Sequence, residues 1–176
     1  MSLTKIANRL YFHRRQVELE RHEKDALQMQ NEVFSYLVER GKETEYGRNH
    51  LFNTIRTYED FAQNVPVNTY EELKDDIDRM RHGERNVLWP GMVQWFAKSS
   101  GTTNDKSKFI PVSAEGLQRI HYQGGTDVVA FYLANYPQSR MLDGKGLILG
   151  GSHSPNYNMA GSLVGDLSAI LIENIN

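Results

Sequence analysis

One short stretch of this chain combines residue types that could hold a charged ligand. The candidate residues in it are four with hydroxyl groups, one glycine and two lysines, namely Ser99, Ser100, Gly101, Thr102, Thr103, Lys106 and Lys108. The glycine lets the backbone turn sharply and come close to a ligand, and successive N–H groups can form a concave anion site. The lysines supply compact positive charge. The stretch is therefore predicted to bind a polyphosphate.

A solvent-exposed hairpin loop is the alternative interpretation of the same residues, because serine and threonine are common in loops. The flanks, Val93 to Ala97 and Phe109 to Val112, are short and apolar, which predicts two strands joined by the loop. The pattern is not a Walker loop, since the chain contains no G-x-x-x-x-G-K-[ST] at this place.

The segment Ser99–Thr103, followed by Lys108 and Pro111, resembles the nucleotide-phosphate motif of the adenylate-forming, firefly-luciferase-like superfamily. Within that superfamily it is most similar to the Gretchen Hagen (auxin-responsive promoter) family of acyl-acid amido synthetases. The wider superfamily usually has glycine after the second threonine and then a Pro-Lys pair, and residues 104–107 interrupt that pattern here. The later lysine followed by proline is similar to the amido-synthetase version.

The resemblance implies an ATP-dependent ligase. Such enzymes activate a carboxylic acid as an acyl-adenylate and then join it to an amino acid or another amine. The loop would cradle the β- and γ-phosphates of ATP with Mg²⁺ present, and Lys106 or Lys108 would offset the charge of the leaving pyrophosphate. The expected partners are a small carboxylic acid and an amine.

The resemblance runs along nearly the whole chain but covers only the beginning of such an enzyme. The adenine site and the carboxyl-terminal domain with its catalytic lysine are not located in these 176 residues, so the catalytic residues stay unknown. We expect the isolated chain to be inactive and to require the missing carboxyl-terminal part. The alternative is a truncated, non-catalytic nucleotide-binding module or a structural fragment.

Composition narrows the class of protein. The chain has no cysteine and a formal net charge of −2, so it offers no thiolate chemistry and no basic excess for nucleic acid. Its longest apolar run, Val128 to Ala134, has seven residues, against the about 20 that a membrane helix needs. We expect a cytoplasmic protein that binds neither nucleic acid nor membrane.

The expected fold class is α/β (mixed α+β), with amino-terminal helices packed on a partial parallel or mixed sheet. Residues 1–95 are predicted to be mostly helical, 96–112 to form the strand–loop–strand, and 113–176 to add a helix and a sheet segment. By the resemblance, residues 1–176 are the incomplete amino-terminal part of the large domain of an adenylate-forming enzyme.

Capping residues and periodicity set the expected helices. Apolar spacing predicts a helix from Asp25 to Arg40. Capping boxes of Thr57 with Asp60 and of Thr69 with Glu72 open two further helices. The residues expected on the buried face of the first of these helices are Leu27, Val33, Phe34, Leu37 and Val38.

A long helix from Ala114 to Ala134 and a buried strand from Gly146 to Gly150 are predicted after the loop. The helix residues expected to pack are Leu117, Ile120, Val128, Phe131 and Tyr132. Paired glycines at 124–125 predict a kink or a close approach, since each costs about 1 kcal/mol in a helix.

Three residues are candidates for contact with the acyl substrate. The resemblance implies that the helix after the loop borders the acyl-acid pocket, so His121 and Tyr122 would line it; tight packing beside a surface histidine is the alternative. His153 lies just past the predicted strand, where open sheets place ligands. The acidic run from Glu71 to Asp78 is interpreted as a solvated helix face, and no metal site is predicted from protein ligands.

Overall fold

A computed structural model describes residues 3–99, 107–155 and 161–175. Its packing divides the chain into two units, one of Met1–Asn31 with Glu115–Leu149 and one of Glu32–Ala114 with Gly150–Asn176. The α-helices are α1 Leu3–Lys24, α2 Ala26–Gly41, α3 Glu45–Asn49, α4 Tyr58–Asn64, α5 Tyr70–Arg81, α6 Ala114–Gly116, α7 Gln123–Asn135 and α8 Leu167–Glu173. A 3₁₀ turn covers Phe52–Thr54, and a π-helix, Leu117–Tyr122, joins α6 to α7 without a break.

The first unit is held by contacts between α1 and α7. The guanidinium of Arg15 donates from Nε to Asp127 Oδ1 at 2.6 Å and from Nη2 to Oδ2 at 3.1 Å. One turn further along α7, the carbonyl of Ala130 accepts from the side-chain amide of Gln16 at 2.9 Å. The hydrogen bond from Arg15 holds the pKa of Asp127 below its ordinary value. These polar bonds fix the register of the two helices.

The second unit contains a four-stranded mixed sheet in the order β2-β1-β4-β3. The strands are β1 Trp95–Lys98, β2 Phe109–Val112, β3 His153–Pro155 and β4 Leu163–Gly165. The pairs β1–β2 and β3–β4 are antiparallel, whereas β1 and β4 are parallel. The sheet packs on a core whose buried members are Ile77, Met80, Val87, Val93 and Phe96. The expected mixed α/β class is confirmed.

Both predicted capping boxes are present. The side chain of Thr57 accepts from Asp60 N at 3.2 Å, and Asp60 Oδ2 accepts from Thr57 N at 3.0 Å. At the start of α5, Thr69 donates from both N and Oγ1 to Glu72 Oε2, at 2.6 and 2.8 Å. These bonds satisfy amide groups that have no partner within the helix, and the backbone bond lowers the pKa of Glu72.

A buried turn ties α3 to the end of α2. The hydroxyl of Thr44, which is 1% exposed, donates to the carbonyl of Gly41 at 2.6 Å and accepts from Gly47 N at 2.9 Å. Gly47 sits so close to Gly41 that an added Cβ would lie 2.1 Å from its carbonyl oxygen. Only glycine fits at position 47.

The prediction of a buried strand from Gly146 to Gly150 is wrong. The structure assigns no strand there, and Leu147 and Leu149 are 85% and 84% exposed. The sheet is completed instead by β3 and β4, which follow in the chain and pair with each other and with β1. The apolar composition of residues 147–149 was therefore not sufficient to form a strand.

Most of the expected packing positions on two helices are also wrong. On α2, Val38 is buried but Leu27 is 77% exposed. On the helical run after the loop, Leu117 is buried but Val128 is 70% exposed. Periodicity identifies an apolar face, but it does not establish that a neighbouring element covers that face. Within the described ranges, no helix has the length and apolar character needed to cross a membrane.

Candidate functional site

The loop singled out from the sequence begins and ends on neighbouring antiparallel strands. Their register pairs Lys98 with Phe109 as the last rung. Beyond that rung, Ser99 N donates to the carbonyl of Lys108 at 2.9 Å, and Lys108 N donates to Ser99 Oγ at 3.0 Å. The two bonds close the base of the loop, so that its first hydroxyl residue and its last lysine are direct neighbours.

Ser99 and Lys108 are the two predicted phosphate-binding residues that the structure describes. The other five, Ser100, Gly101, Thr102, Thr103 and Lys106, lie outside the described residues. The Ser99 hydroxyl accepts a backbone bond and retains its own proton, which it can donate to a ligand oxygen. The Lys108 ammonium lies 5.3 Å from the centre of the Tyr70 ring, within the range of a cation–π contact.

The strand that leads into the loop is held from both sides. β1 lies between β2 and β4 in the sheet, and Phe96 in its middle is 0% exposed. Because β1 and β4 are parallel, the loop leaves the same edge of the sheet at which β4 ends. The carboxyl edge of parallel strands is where open α/β sheets place ligands.

The strand that leaves the loop is held by helix α5. The Tyr70 hydroxyl, at the first residue of α5, accepts a hydrogen bond from Phe109 N at 3.0 Å. At the last residue of α5, the Arg81 guanidinium lies 3.6 Å from the centre of the Phe109 ring. Asp78 Oδ1 accepts from Arg81 Nη1 at 2.8 Å. Both ends of one helix therefore contact the residue that follows Lys108.

His121 and Tyr122 lie together on the last turn of the π-helix. Both are half-buried, and burial raises the pKa of the Tyr122 hydroxyl. The predicted kink at Gly124–Gly125 falls just after this segment, and a Cβ at either glycine would meet nothing within 4 Å. A close approach at the glycines is therefore not observed among the described residues. π-Helical turns occur frequently at functional sites.

His153 is the first residue of β3, and its backbone pairs with Gly165 of β4. Gly165 in turn pairs with Ala97 of β1, so the backbone of His153 lies two strands away from the entrance to the loop, about 10 Å. The strand predicted to end at Gly150, just before His153, is not present in the structure. Its place in the sheet nevertheless brings it to the same level as the loop.

The acidic run on α5 is used in ion pairs and caps. Arg79 pairs with Asp76 at 3.0 Å, with Glu45 at 2.6 Å and with Glu84. Hydrogen bonds from Arg79 lower the pKa of both Glu45 and Glu84. Three of the five carboxylates in the run therefore have partners, Glu72 in the cap, Asp76 with Arg79 and Asp78 with Arg81.

Comparison with known proteins agrees with the motif and the fold. The family described as the GH3 family N-terminal domain matches residues 15–176. The chain belongs to the GH3 family. The resemblance seen in the Ser-Ser-Gly-Thr-Thr segment is thereby confirmed, and the chain corresponds to an amino-terminal portion of a GH3 protein.

Individual GH3 relatives give the scale of the match. Indole-3-acetic acid-amido synthetase GH3.15 from Arabidopsis thaliana is 35% identical over 97 residues, covering 54% of this chain and 16% of the relative. GH3.5 from the same plant is 32% identical over 96 residues, with the same two coverages. A probable indole-3-acetic acid-amido synthetase, GH3.2 from Oryza sativa subsp. japonica, is 33% identical over 92 residues, 52% of this chain and 15% of that protein.

A solved GH3 structure extends the match to the fold. The AtGH3.15 acyl acid amido synthetase in complex with 2,4-DB superimposes with a TM-score of 0.72 at 28% identity. The match covers 92% of this chain and 28% of that chain. The present chain thus spans less than a third of the solved relative.

Sequence reasoning missed the two α5 residues that hold the loop. Tyr70 follows a capping threonine and Arg81 ends the helix, and both positions are ordinary by local pattern. Their contact with Phe109 joins residues 28 and 39 positions apart.

Proposed function

We propose that this chain is the amino-terminal part of an acyl-acid amido synthetase and supplies its ATP phosphate-binding loop. The observation that carries the proposal is the closed loop base, in which Ser99 and Lys108 are bonded to each other at the carboxyl edge of a parallel strand pair. Membership of the GH3 family, whose matched relatives are amido synthetases, supports the reaction class.

The reaction has two steps. The carboxylate oxygen attacks the α-phosphorus of ATP, and the bond to the β-phosphate oxygen breaks to release pyrophosphate. The amine nitrogen then attacks the acyl carbon of the adenylate, the bond to the AMP oxygen breaks, and the amine loses a proton. A carboxylic acid is already ionised near neutral pH, so the first step requires no general base.

The first step brings a carboxylate toward a polyphosphate, and both are anions. Preorganised N–H and O–H donors and cations stabilise the charge that develops on the leaving group. The loop residues Ser99, Ser100, Gly101, Thr102 and Thr103 would cradle the β- and γ-phosphates, and Lys106 or Lys108 would offset the charge of pyrophosphate. The Ser99 hydroxyl and the Lys108 ammonium would be donors of this kind, and the two residues are neighbours through their bonds at the base of the loop.

Mg²⁺ fits this site as a companion of the nucleotide. No group of three or more His, Cys, Asp or Glu able to hold a metal occurs among the residues described. Mg²⁺ usually keeps several waters and binds through substrate phosphates with one or two carboxylates. The ion would neutralise phosphate charge, while the chain itself contributes hydroxyl, amide and ammonium donors.

His121, Tyr122 and His153 are the proposed contacts to the acyl substrate. His121 and Tyr122 share the π-helical turn, and a tyrosine hydroxyl is protonated at neutral pH. A neutral hydroxyl can donate a hydrogen bond to a substrate carboxylate. The carboxylic acid, the amine and a cytoplasmic location are parts of the same proposal, and the remaining part of the enzyme would supply the adenine site.

The test is a calorimetric titration of the chain with MgATP and with inorganic tripolyphosphate. Gly101→Val should abolish binding of both, because the backbone could no longer approach the phosphates, and Lys108→Ala should weaken it more modestly. Gly144→Val is the matched control, since a Cβ at Gly144 meets nothing within 4 Å. Unchanged affinity in Gly101→Val would remove the phosphate-cradle interpretation.

The alternative, a non-catalytic nucleotide-binding module or structural fragment, makes a different prediction about size. The intact mass of the native gene product from its own cells should exceed what 176 residues account for if the chain is part of a ligase. That longer species should release pyrophosphate when given MgATP and carboxylic acids, whereas the isolated chain should not. A native product of only this length would favour the alternative.

A further inference from the structure

The two strands that flank the loop are supported very differently. β1 is an inner strand with hydrogen-bonded neighbours on both sides, whereas β2, within the part of the chain that the structure describes, lies at the edge of the sheet and pairs with β1 alone. Its third residue is Pro111, which has no N–H to offer a further strand. The position of Lys108, just before β2, therefore depends on whatever else holds the start of β2.

The Tyr70 hydroxyl accepts a backbone hydrogen bond on the side of β2 that faces away from β1. Lys108 N and the Lys108 carbonyl point toward Ser99 and close the loop. The next amide, Phe109 N, points away from β1 and donates to the Tyr70 hydroxyl at 3.0 Å. The ring of Tyr70 also lies 5.3 Å from Lys108 Nζ. One side chain thus contacts both the backbone and the ammonium at the end of the loop.

Arg81 contacts the side chain of the same residue, Phe109. Its guanidinium stacks 3.6 Å from the centre of the Phe109 ring, and its side chain is 9% exposed. Only Asp78 among the described residues is within ion-pair distance of it. The start of β2 is therefore clamped between a hydroxyl at one end of α5 and a guanidinium at the other.

We propose that Tyr70, supported by Arg81, is a positioning residue for phosphate binding: it holds Lys108 and the closing bond to Ser99 in the competent arrangement. This inference rests on the proposed function of the loop. If the loop binds phosphate only when its base is closed, apparent affinity falls in proportion to the closed fraction. Losing one neutral hydrogen bond should shift the equilibrium between the closed and the open base about two- to ten-fold. The affinity follows the closed fraction, so it should fall by up to that factor.

The experiment compares two Tyr→Phe variants that each remove one hydroxyl. Tyr70→Phe removes the acceptor of Phe109 N and keeps the ring beside Lys108. Tyr46→Phe is the matched control in the same unit, because the Tyr46 hydroxyl accepts from Asn68 Nδ2 at 2.8 Å. Amide hydrogen exchange at Phe109 is measured without ligand, and affinity for tripolyphosphate and MgATP is measured by calorimetry.

In Tyr70→Phe we expect faster exchange at Phe109 and weaker binding of both ligands, by up to about ten-fold, whereas Tyr46→Phe leaves both unchanged. Faster exchange with unchanged affinity would overturn the inference and leave the proposed function standing, because Tyr70 would then be a structural anchor only. Absence of binding in the unmodified chain would overturn the proposed function and this inference with it. Equal weakening in both variants would also overturn it, since the effect would not be specific to the loop.

Discussion

Replacing Gly47 by alanine tests the turn that joins α2 to α3. A Cβ built on Gly47 would lie 2.1 Å from the carbonyl oxygen of Gly41 and 2.8 Å from its carbonyl carbon. Both atoms belong to the backbone and cannot rotate away as a side chain could. The same carbonyl accepts the Thr44 hydroxyl at 2.6 Å, so any shift that relieves the overlap also strains the buried cap of α3.

The size of the effect follows from two opposing terms. Alanine in place of glycine within a helix should stabilise by about 1 kcal/mol, while forcing extra volume into a packed site costs about 1–3 kcal/mol. The overlap here is with backbone, so the upper end of the cost applies. We expect a net loss of about 2 kcal/mol, which lowers the unfolding midpoint of a domain of this size by about 4–8 °C.

Tryptophan fluorescence measures this effect selectively, because Trp89 and Trp95 both lie in the second unit with Gly47. Gly125→Ala is the control: it lies in helix α7 of the first unit, and its Cβ would meet nothing within 4 Å. We expect that variant to raise helix stability by about 0.5–1 kcal/mol without lowering the fluorescence midpoint. If Gly47→Ala unfolds at or above the temperature of the unmodified chain, the steric argument is wrong.

Three further predictions follow from the ion pairs and the loop clamp. Asp127→Asn should destabilise the first unit by about 1.5–3 kcal/mol through loss of the charged bonds to Arg15, measured by urea unfolding followed by circular dichroism. The folded pKa of Asp127 lies below its ordinary value of 3.8. The ion pair with Arg15 therefore stabilises the fold fully above that pH, and the stabilisation is lost as the pH falls through the folded pKa. Below pH 4 the free energy of unfolding of Asp127→Asn should depend less on pH than that of the unmodified chain, and an unchanged slope would contradict the pairing. Arg81→Lys keeps the charge but loses the planar stack on Phe109, and should lower the fluorescence-detected stability by about 1 kcal/mol; no loss would show that stacking contributes nothing.

Elements with their own local signals were predictable from the sequence. The boxes Thr57–Asp60 and Thr69–Glu72 open α4 and α5 where expected, because capping is decided within one turn of helix. The two strands beside the loop were also expected, since antiparallel neighbours joined by one loop are close in sequence. The resemblance of Ser99–Thr103, followed by Lys108 and Pro111, to the amido-synthetase motif pointed to the correct family.

Features that depend on distant residues were not predictable in the same way. The pairing of β1 with β4 joins Phe96 to Val164 in parallel, and β4 has only three residues, too few for a periodic pattern. The π-helix at Leu117–Tyr122 was not predicted, because apolar periodicity indicates a helix without fixing its hydrogen-bond pattern. Support of the loop by Tyr70 and Arg81 is likewise a property of tertiary packing.

The segment Leu147–Leu149 shows why local pattern and structure can disagree. Three consecutive aliphatic residues between glycines are typical of a strand covered on both faces, and burying one such side chain stabilises by about 1.5–3 kcal/mol. In the described residues the segment pairs with no strand, and Leu147 is 85% exposed. A strand of this composition is stable only where other elements cover both of its faces and pair with its edges. Whether a strand forms is decided by the elements that meet that requirement, and these are not encoded within the segment itself.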